Sequence, residues 1–211
     1  MNKVKERIRN LKVEAKLKTY RITILCMTVF LVLVALISTL VIRSNVREIT
    51  VVWSPAIGYI QELGTLTAKY RIKQYQHLAE TDASAKSSCE QDIAGIADQI
   101  TEYAKKLDAI INSEKGAQEG KSDYEKANTA WNDYKATSEE ILQLSNAGKQ
   151  AEAAELMTGS VYEKYTLFGE TFGALREDFQ VQLEVAKKSA NICTVIIFIV
   201  IFAAGFAIAI V

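Results

Sequence analysis

The sequence has little of what small secreted folds and most metalloenzymes depend on. Its 211 residues include one proline, one histidine and three cysteines. Two of the cysteines, Cys26 and Cys193, lie in long apolar runs, which leaves Cys89 alone and predicts no disulfide framework. The single histidine, His77, gives no metal site of ordinary spacing. With so little proline, few positions force a helix to end.

The patterns of common enzymes are also missing. There is no glycine-rich phosphate loop and no recognisable arrangement of a nucleophile with a base. Aspartate and glutamate are plentiful, but they are scattered at the spacing of solvated helix faces. We therefore predict no catalytic residue, no cofactor, no metal and no nucleic-acid partner, and we do not expect an enzyme.

Two long runs, residues 22–42 and 190–211, carry no charged side chain. A run of 21 residues spans about 31 Å as a helix, which matches a hydrocarbon core of about 30 Å. Both runs are predicted to be transmembrane helices. A cleaved signal peptide competes for the first run, but signal peptides have a shorter apolar region and a small-residue cleavage site. The residues Val41, Ile42 and Arg43 offer no such site, which favours an uncleaved anchor.

The net charge of zero hides a segregation of charge along the chain. Residues 1–21 contain eight Lys or Arg and two Glu, whereas residues 43–189 have an excess of six acidic residues. Because basic residues stay on the cytoplasmic side of a first span, residues 1–21 are predicted to be cytoplasmic and residues 43–189 extracytoplasmic. The predicted protein is a multi-pass protein of the cytoplasmic membrane, in contact with lipid through both spans.

Between the spans, apolar and small residues recur at intervals of three and four, as in coiled coils and helical bundles. This predicts long helices from residue 43 to about 80–82, over 84–113, from 122 to about 145, and from 160 onward. A short helix is expected over 149–157. Pro55 should kink the first helix, and Ser122 with Glu125 fits a capping box for the third. An even number of helices returns the chain to the membrane. The predicted fold is therefore all-α, an antiparallel up-down-up-down four-helix bundle between two transmembrane helices.

One cluster in the first bundle helix is suited to binding an anion. Within residues 69–77 it places Lys69, Arg71, Lys73 and Tyr75 together in an otherwise acidic domain. Arginine offers a fork of donors to a carboxylate, and tyrosine adds a flat face with a hydroxyl. These four residues are the predicted ligand-binding residues. The alternative is that the cations only pair with acidic residues of a neighbouring helix. Trp131, Tyr134 and Tyr165 are predicted to be core aromatics.

The layout of basic segment, span, outer domain and span resembles the N-terminal sensory half of bacterial methyl-accepting chemotaxis proteins with a four-helix-bundle ligand-binding domain. Leu63–Leu78 is similar to the arginine-bearing end of the family's first bundle helix, with Arg71 at the arginine. Leu144–Met157, followed by Tyr162–Leu175, resembles the connection into its fourth helix. The resemblance covers essentially the whole chain. It implies a homodimeric receptor for small extracellular solutes.

The resemblance also implies a mechanism, in which a small displacement of the fourth helix and second span carries the signal. The first and fourth bundle helices carry more apolar residues than the three-and-four pattern accounts for, which supports a dimer. These additional residues are Val52, Ile57, Leu66, Val181 and Leu183. In the family, a cytoplasmic linker and a kinase-coupling coiled coil follow the second span. This sequence stops at Val211, so we expect a longer parent protein. Two alternatives stay open: the sensor half of a membrane histidine kinase or diguanylate cyclase, and a non-sensing structural bundle.

Overall fold

The structure is a computed structural model. It describes the backbone of residues 2–210, and the side chains of these residues except 2–12, 16, 115–116 and 207–210. Six α-helices follow one another within residues 2–210: α1 Asn2–Arg47, α2 Ser54–Ala79, α3 Ala83–Ser113, α4 Lys121–Asn146, α5 Gln150–Thr158 and α6 Ser160–Ile210. A π-helical segment, Glu48–Trp53, precedes α2, and a 3₁₀-helix, Lys115–Gly120, precedes α4. No strand occurs among the described residues.

The helices divide between two compact units, of which one is Glu48–Glu184. This unit contains α2, α3, α4, α5 and the first half of α6. It confirms the predicted all-α four-helix bundle. The three-and-four pattern explains the fold, because the residues that follow the pattern are the ones buried between the helices. The fully buried side chains include Leu63, Tyr70, Ile100, Leu107, Tyr134, Ile141, Leu175 and Phe179.

The connection from α4 to α5 shows how the sequence ends a helix. Gly148 has φ of +75°, a left-handed conformation that glycine adopts without steric cost. The N–H of Lys149 donates to the carbonyl of Leu144 at 2.9 Å, and the N–H of Gly148 donates to that of Ser145 at 3.2 Å. This pair of bonds is a Schellman motif, which satisfies the last carbonyls of α4.

Two local predictions need correction. The capping box of Ser122 and Glu125 was wrong, because the 3₁₀-helix runs directly into α4 and its N-cap, Gly120, makes no side-chain cap. The predicted interruption near Pro55 takes the form of the π-helical segment that ends at Trp53. Pro55 itself lies in the first turn of α2, where its missing N–H leaves no hydrogen bond unmade.

The dimer argument from excess apolar residues was also wrong in part. Val52, Ile57 and Leu66 are only 2 %, 8 % and 4 % exposed within the single chain. They are buried because α2 packs against the π-helical segment, α3 and α4. The buried face of α2 is therefore wider than the three-and-four pattern predicted. Val181 is 55 % exposed and stays available to a partner.

Gly120 has the least room for a side chain among the glycines that the structure describes. A Cβ added there would lie 2.5 Å from Cε1 of Phe179 and 3.1 Å from Cδ1 of Leu175. Since Phe179 is fully buried, its ring has little room to move. We expect Gly120→Ala to lower the free energy of unfolding by about 1–3 kcal/mol. Thermal unfolding followed by circular dichroism measures this change.

The matched control for Gly120→Ala is Gly95→Ala in α3. A Cβ at Gly95 has nothing within 4 Å, so the same substitution should raise stability, by up to about 1 kcal/mol. Equal effects of the two substitutions would contradict the close approach of Gly120 to Phe179.

The second unit comprises the described residues up to Arg47 and from Val185 onward. Within it, Nδ2 of Asn45 donates to Oγ of Ser189 at 3.3 Å. Its apolar side chains are exposed to an unusual degree, for example Leu40 at 67 % and Phe202 at 74 %. Two helical regions of the chain are long and apolar enough to cross a membrane, judged by length and composition.

Candidate functional site

The side chain of Arg71 lies inside the bundle. It is 9 % exposed, on the inward face of α2 that also carries Thr67, Tyr70, Gln74 and His77. These positions recur at three and four residues, so they form one stripe along the helix. From Thr67 to His77 this stripe is mostly polar, whereas most of a bundle core is apolar. Buried polar groups of this kind normally have specific partners.

Two hydrogen bonds hold one edge of the Arg71 guanidinium. Nη2 donates to Oη of Tyr75 at 3.0 Å and to the carbonyl of Met157, near the end of α5, at 3.3 Å. The central carbon Cζ lies 5.2 Å from the ring centroid of Tyr75, 5.3 Å from that of Tyr162 and 4.8 Å from that of Tyr165. Each distance is in the range of a cation–π interaction. Arg71 thus joins α2 to the end of α5 and the start of α6.

The other edge of the guanidinium has no partner. Nη1 of Arg71 is buried and makes no hydrogen bond with any residue that the structure describes. Among the described ion pairs, none involves Arg71. A buried charge normally has a counter-ion, because taking an unpaired ion out of water costs several kcal/mol. Arg71 therefore has no counter-ion among the described residues, and its nearest further polar neighbour is the hydroxyl of Tyr134, whose pKa the guanidinium acts to lower.

A second polar pair lies beside Arg71. The hydroxyl of Tyr134 donates to Oε1 of Gln74 at 2.8 Å, and both side chains are fully buried. Burial raises the pKa of Tyr134, and the nearby charge of Arg71 acts in the opposite direction. The amide Nε2 of Gln74 is buried without a partner among the described residues. Two buried donors, one on Arg71 and one on Gln74, thus remain unsatisfied around Tyr134.

A cluster of aromatic rings packs against these polar side chains. Trp131 contacts the rings of Tyr70, Tyr134 and Phe168 at centroid distances of 5.3 Å, 5.8 Å and 5.8 Å. Tyr134 also contacts Tyr165 at 5.7 Å. Burial raises the pKa of Tyr70 to about 12. The rings therefore fix the position of the Tyr134 hydroxyl and of one ring that faces Arg71.

The four predicted binding residues do not all meet. Arg71 and Tyr75 are hydrogen-bonded to each other, with Tyr75 43 % exposed at the rim of the cluster. Lys69 is exposed. Nζ of Lys73 forms an ion pair with Asp92 of α3 at 2.8 Å. This agrees with the alternative prediction that the cations pair with acidic residues of a neighbouring helix. A binding role for these residues stays a prediction.

The sequence did not point to Tyr162 or the carbonyl of Met157 as neighbours of Arg71. Trp131 and Tyr134 were expected in the core and are 5 % and 0 % exposed. Tyr165 was expected there too, but it is partly exposed and faces the guanidinium. Only the packing of α5 and the start of α6 against α2 brings these groups together, and no pattern within one helix reveals that packing.

A separate polar cluster joins the ends of α2, α3 and α4. Nε2 of the buried His77 lies 3.1 Å from Oε1 of Glu90, which also accepts a hydrogen bond from Nδ2 of Asn146 at 2.6 Å. Nζ of the buried Lys86 donates to the carbonyl of Ser145 at 2.6 Å. No group of three or more metal-binding side chains occurs among the described residues. The geometry gives this cluster a structural role in holding three helix ends together.

This cluster predicts a contribution to stability that depends on pH. The hydrogen bond from Asn146, followed by that from His77, lowers the pKa of Glu90. A lowered carboxyl pKa stabilises the fold above the unfolded value of about 4.3, and this stability is lost as the pH falls through the folded value. We expect Asn146→Ala to destabilise the bundle slightly at pH 7, by under about 1 kcal/mol because 39 % of the Glu90 side chain is exposed to solvent.

The measurement is a series of melting temperatures between pH 7 and pH 3. The difference between the wild type and Asn146→Ala should be complete at pH 7 and should disappear at the acid end. Asn132→Ala, an exposed position on α4, is the matched control and should show no such trend. A difference that grows on acidification would contradict the lowered pKa of Glu90.

Comparison with known proteins identifies a family. A family model described as a four helix bundle sensory module for signal transduction matches residues 10–207. A search of curated proteins finds no match.

Proposed function

The chain belongs to the family of four-helix-bundle sensory modules for signal transduction, and we propose that it is the sensory part of a transmembrane chemoreceptor. In this proposal the bundle binds a small anionic solute outside the cell. The signal then passes through α6 into the membrane. Sensory modules of this kind are signalling rather than catalytic domains.

The observation that carries the proposal is the unpaired guanidinium of Arg71. Its Nη1 is buried without a partner among the described residues, and so is Nε2 of Gln74, three residues further along α2. An anion placed there would restore the counter-charge and satisfy both donors. Arg71 and Tyr75 would contact it. Lys69 and Lys73, nearer the surface, would attract it.

Placement across the membrane rests on composition. The exposed apolar side chains of α1 and of the second half of α6 would be costly in water and favourable in lipid. The eight basic residues within 1–21 favour a cytoplasmic N-terminus, and therefore an extracytoplasmic bundle.

The proposed route of the signal is α6. Its helical assignment is unbroken from Ser160 to Ile210, so it includes the tyrosines that face Arg71 and most of the second apolar run. A helix can transmit a displacement of 1–2 Å as a rigid body. Binding at Arg71 would shift α6 by changing the contacts of Tyr162 and Tyr165.

We include homodimerisation in the proposal. An open groove of about 580 Å³ lies between α2 and α6 and is lined in part by Gly64, Gly169 and Gly173. Small residues allow close approach of a second helix pair, and Val181 adds an exposed apolar side chain elsewhere on α6.

The test is isothermal titration calorimetry of the full chain in lipid nanodiscs. The panel comprises amino acids, organic acids and amines. We expect at least one anionic compound to bind and to raise the melting temperature. If no compound in the panel binds, the chain is better described as a structural bundle.

A further inference from the structure

We propose that the bundle-side ends of the two spans bind the headgroups of anionic phospholipids. The binding surface is a belt of four basic side chains, Arg43 and Arg47 on α1 and Lys187 and Lys188 on α6. This inference goes beyond the proposed function, and it takes from it only that both apolar runs lie in lipid.

The charge of the belt differs from that of the bundle. Residues 43–47 and 185–189 contain the four basic residues and no Asp or Glu, a net charge of +4. Residues 48–184 contain 13 Lys or Arg and 23 Asp or Glu, a net charge of −10. Basic residues are normally retained at the cytoplasmic end of a span. Their concentration at the opposite end therefore indicates a negatively charged partner at that level.

The belt residues lie at one level of the helix pair. Nδ2 of Asn45 donates to Oγ of Ser189 at 3.3 Å, which joins α1 to α6 within one unit. The chain leaves this unit through α1 and returns to it through α6, so the two helices run in opposite directions. At about 1.5 Å per residue, Arg47 and Lys187 lie about 3 Å from this bond on the bundle side, and Arg43 lies about 3 Å from it on the other side. The belt is thus about 6 Å deep, close to the thickness of one headgroup layer of a bilayer.

The belt faces away from the contact between α1 and α6. Arg43 and Arg47 are each two residues from Asn45, and Lys187 is two residues from Ser189. Two residues turn an α-helix by about 200°, so these three side chains point to the outside of the pair. All four belt side chains are exposed. They therefore face the surroundings of the spans.

Two members of the belt have no competing partner. The side chains of Arg43 and Lys188 make no hydrogen bond or ion pair with any residue that the structure describes. Each has an apolar stem that can lie along the span while its charged end reaches the headgroup. A guanidinium binds a phosphate through two parallel hydrogen bonds, and an ammonium binds it as a point charge.

Net charge decides which phospholipid the belt selects. A zwitterionic headgroup such as phosphatidylcholine carries an ammonium as well as the phosphate, and the ammonium is repelled by the belt. The headgroup of phosphatidylglycerol carries the phosphate without a cation. A basic residue beside a span favours an anionic surface by roughly fivefold, so the belt is expected to concentrate anionic lipid around the spans.

Spin-labelled lipids test the inference on the full chain in phosphatidylcholine vesicles. Electron paramagnetic resonance of trace amounts of labelled phosphatidylglycerol or phosphatidylcholine measures the share of each lipid that is immobilised at the protein. We expect the association constant of phosphatidylglycerol to be at least about threefold higher at low salt. The preference should decline in about 1 M salt, where charges are screened within about 3 Å.

A matched pair of double variants separates the belt from the eight basic residues within 1–21. Arg43→Gln combined with Lys188→Gln should lower the preference for phosphatidylglycerol by at least about twofold. Lys105→Gln combined with Lys121→Gln removes the same charge from exposed positions of the bundle and should leave the preference unchanged. Circular dichroism shows whether each variant has folded, and the comparison of the two lipids on the wild type does not depend on either.

The outcomes separate this inference from the proposed function. Equal association of the two lipids with the wild type would overturn the inference. An unchanged preference in the belt variant would overturn it too, because the basic residues within 1–21 would then account for the preference. Both results leave the sensory proposal standing, whereas a solute panel without binding leaves the lipid preference standing. If no labelled lipid is immobilised, the chain does not lie in the bilayer and both fail.

Discussion

Replacing Arg71 by glutamine is expected to weaken carboxylate binding by about 100-fold, which corresponds to roughly 2.8 kcal/mol. The substitution removes the charge and the fork of donors but keeps a polar side chain of moderate length. Hydrogen bonds that involve a charged group contribute about 1.5–3 kcal/mol each, and Nη1 is the donor that a ligand would use. We expect Arg71→Gln to lower the binding affinity more than any other single substitution in the chain.

The stability of the ligand-free protein should hardly change in Arg71→Gln. The variant loses the hydrogen bonds to Tyr75 and Met157 and three contacts with aromatic rings. It also relieves the cost of a buried charge that has no counter-ion, and the two effects offset each other to within about 1 kcal/mol. Strong loss of binding with unchanged stability is the mark of a binding residue.

Calorimetry with propionate and thermal unfolding of the ligand-free variant provide the two measurements. Lys73→Gln is the matched control, because Lys73 already pairs with Asp92. It should weaken binding no more than about threefold, as expected for a partly exposed charge that already has a partner. Equal losses in the two variants would show that general attraction, rather than contact with Arg71, holds the anion.

Replacing Trp131 by alanine should have the largest effect on stability. Trp131 is 5 % exposed and contacts three aromatic rings. Removing a buried tryptophan leaves a cavity and typically costs 3–5 kcal/mol, so we expect a loss of about 4 kcal/mol. For a domain of this size the melting temperature should fall by about 10–20 °C.

Circular dichroism of the full chain in detergent micelles measures this transition. Leu167→Ala on α6 is the control, since Leu167 is 52 % exposed and its loss should cost little. Trp131→Ala should also weaken propionate binding, because Trp131 supports the ring of Tyr134 and through it Gln74. A small change in melting temperature would contradict the aromatic core described here.

The architecture could be predicted because it depends on local periodicity. The α4 residues that follow the three-and-four pattern are all buried: Tyr124, Ala127, Trp131, Tyr134, Ser138 and Ile141. The bounds of α3 agree with the prediction to within one residue. The unbroken course of α6 from Ser160 was expected for the same reason: nothing in its sequence stops a helix. These features need no knowledge of how the helices pack.

The sequence-based predictions were wrong where the structure depends on how the helices pack against one another. The capping box at Ser122 was a plausible pattern, but the preceding 3₁₀-helix and the contact of Gly120 with Phe179 determine how α4 begins. Leu66 looked like an extra apolar residue because its burial depends on neighbours from other helices. Arg71 could be singled out from its chemistry. Its tyrosine neighbours on α6 could not, since they lie about 90 residues away in the sequence.

The central claim is that a ligand held at Arg71 displaces α6, and a distance measurement tests it most directly. Spin labels are placed at Ser44 on α1 and Lys188 on α6, after removal of the three native cysteines. Pulsed electron paramagnetic resonance on nanodiscs then compares samples with and without saturating propionate. We predict a shift of about 1–2 Å in the mean distance for wild type and none for Arg71→Gln. Bound propionate with an unchanged distance would contradict the account.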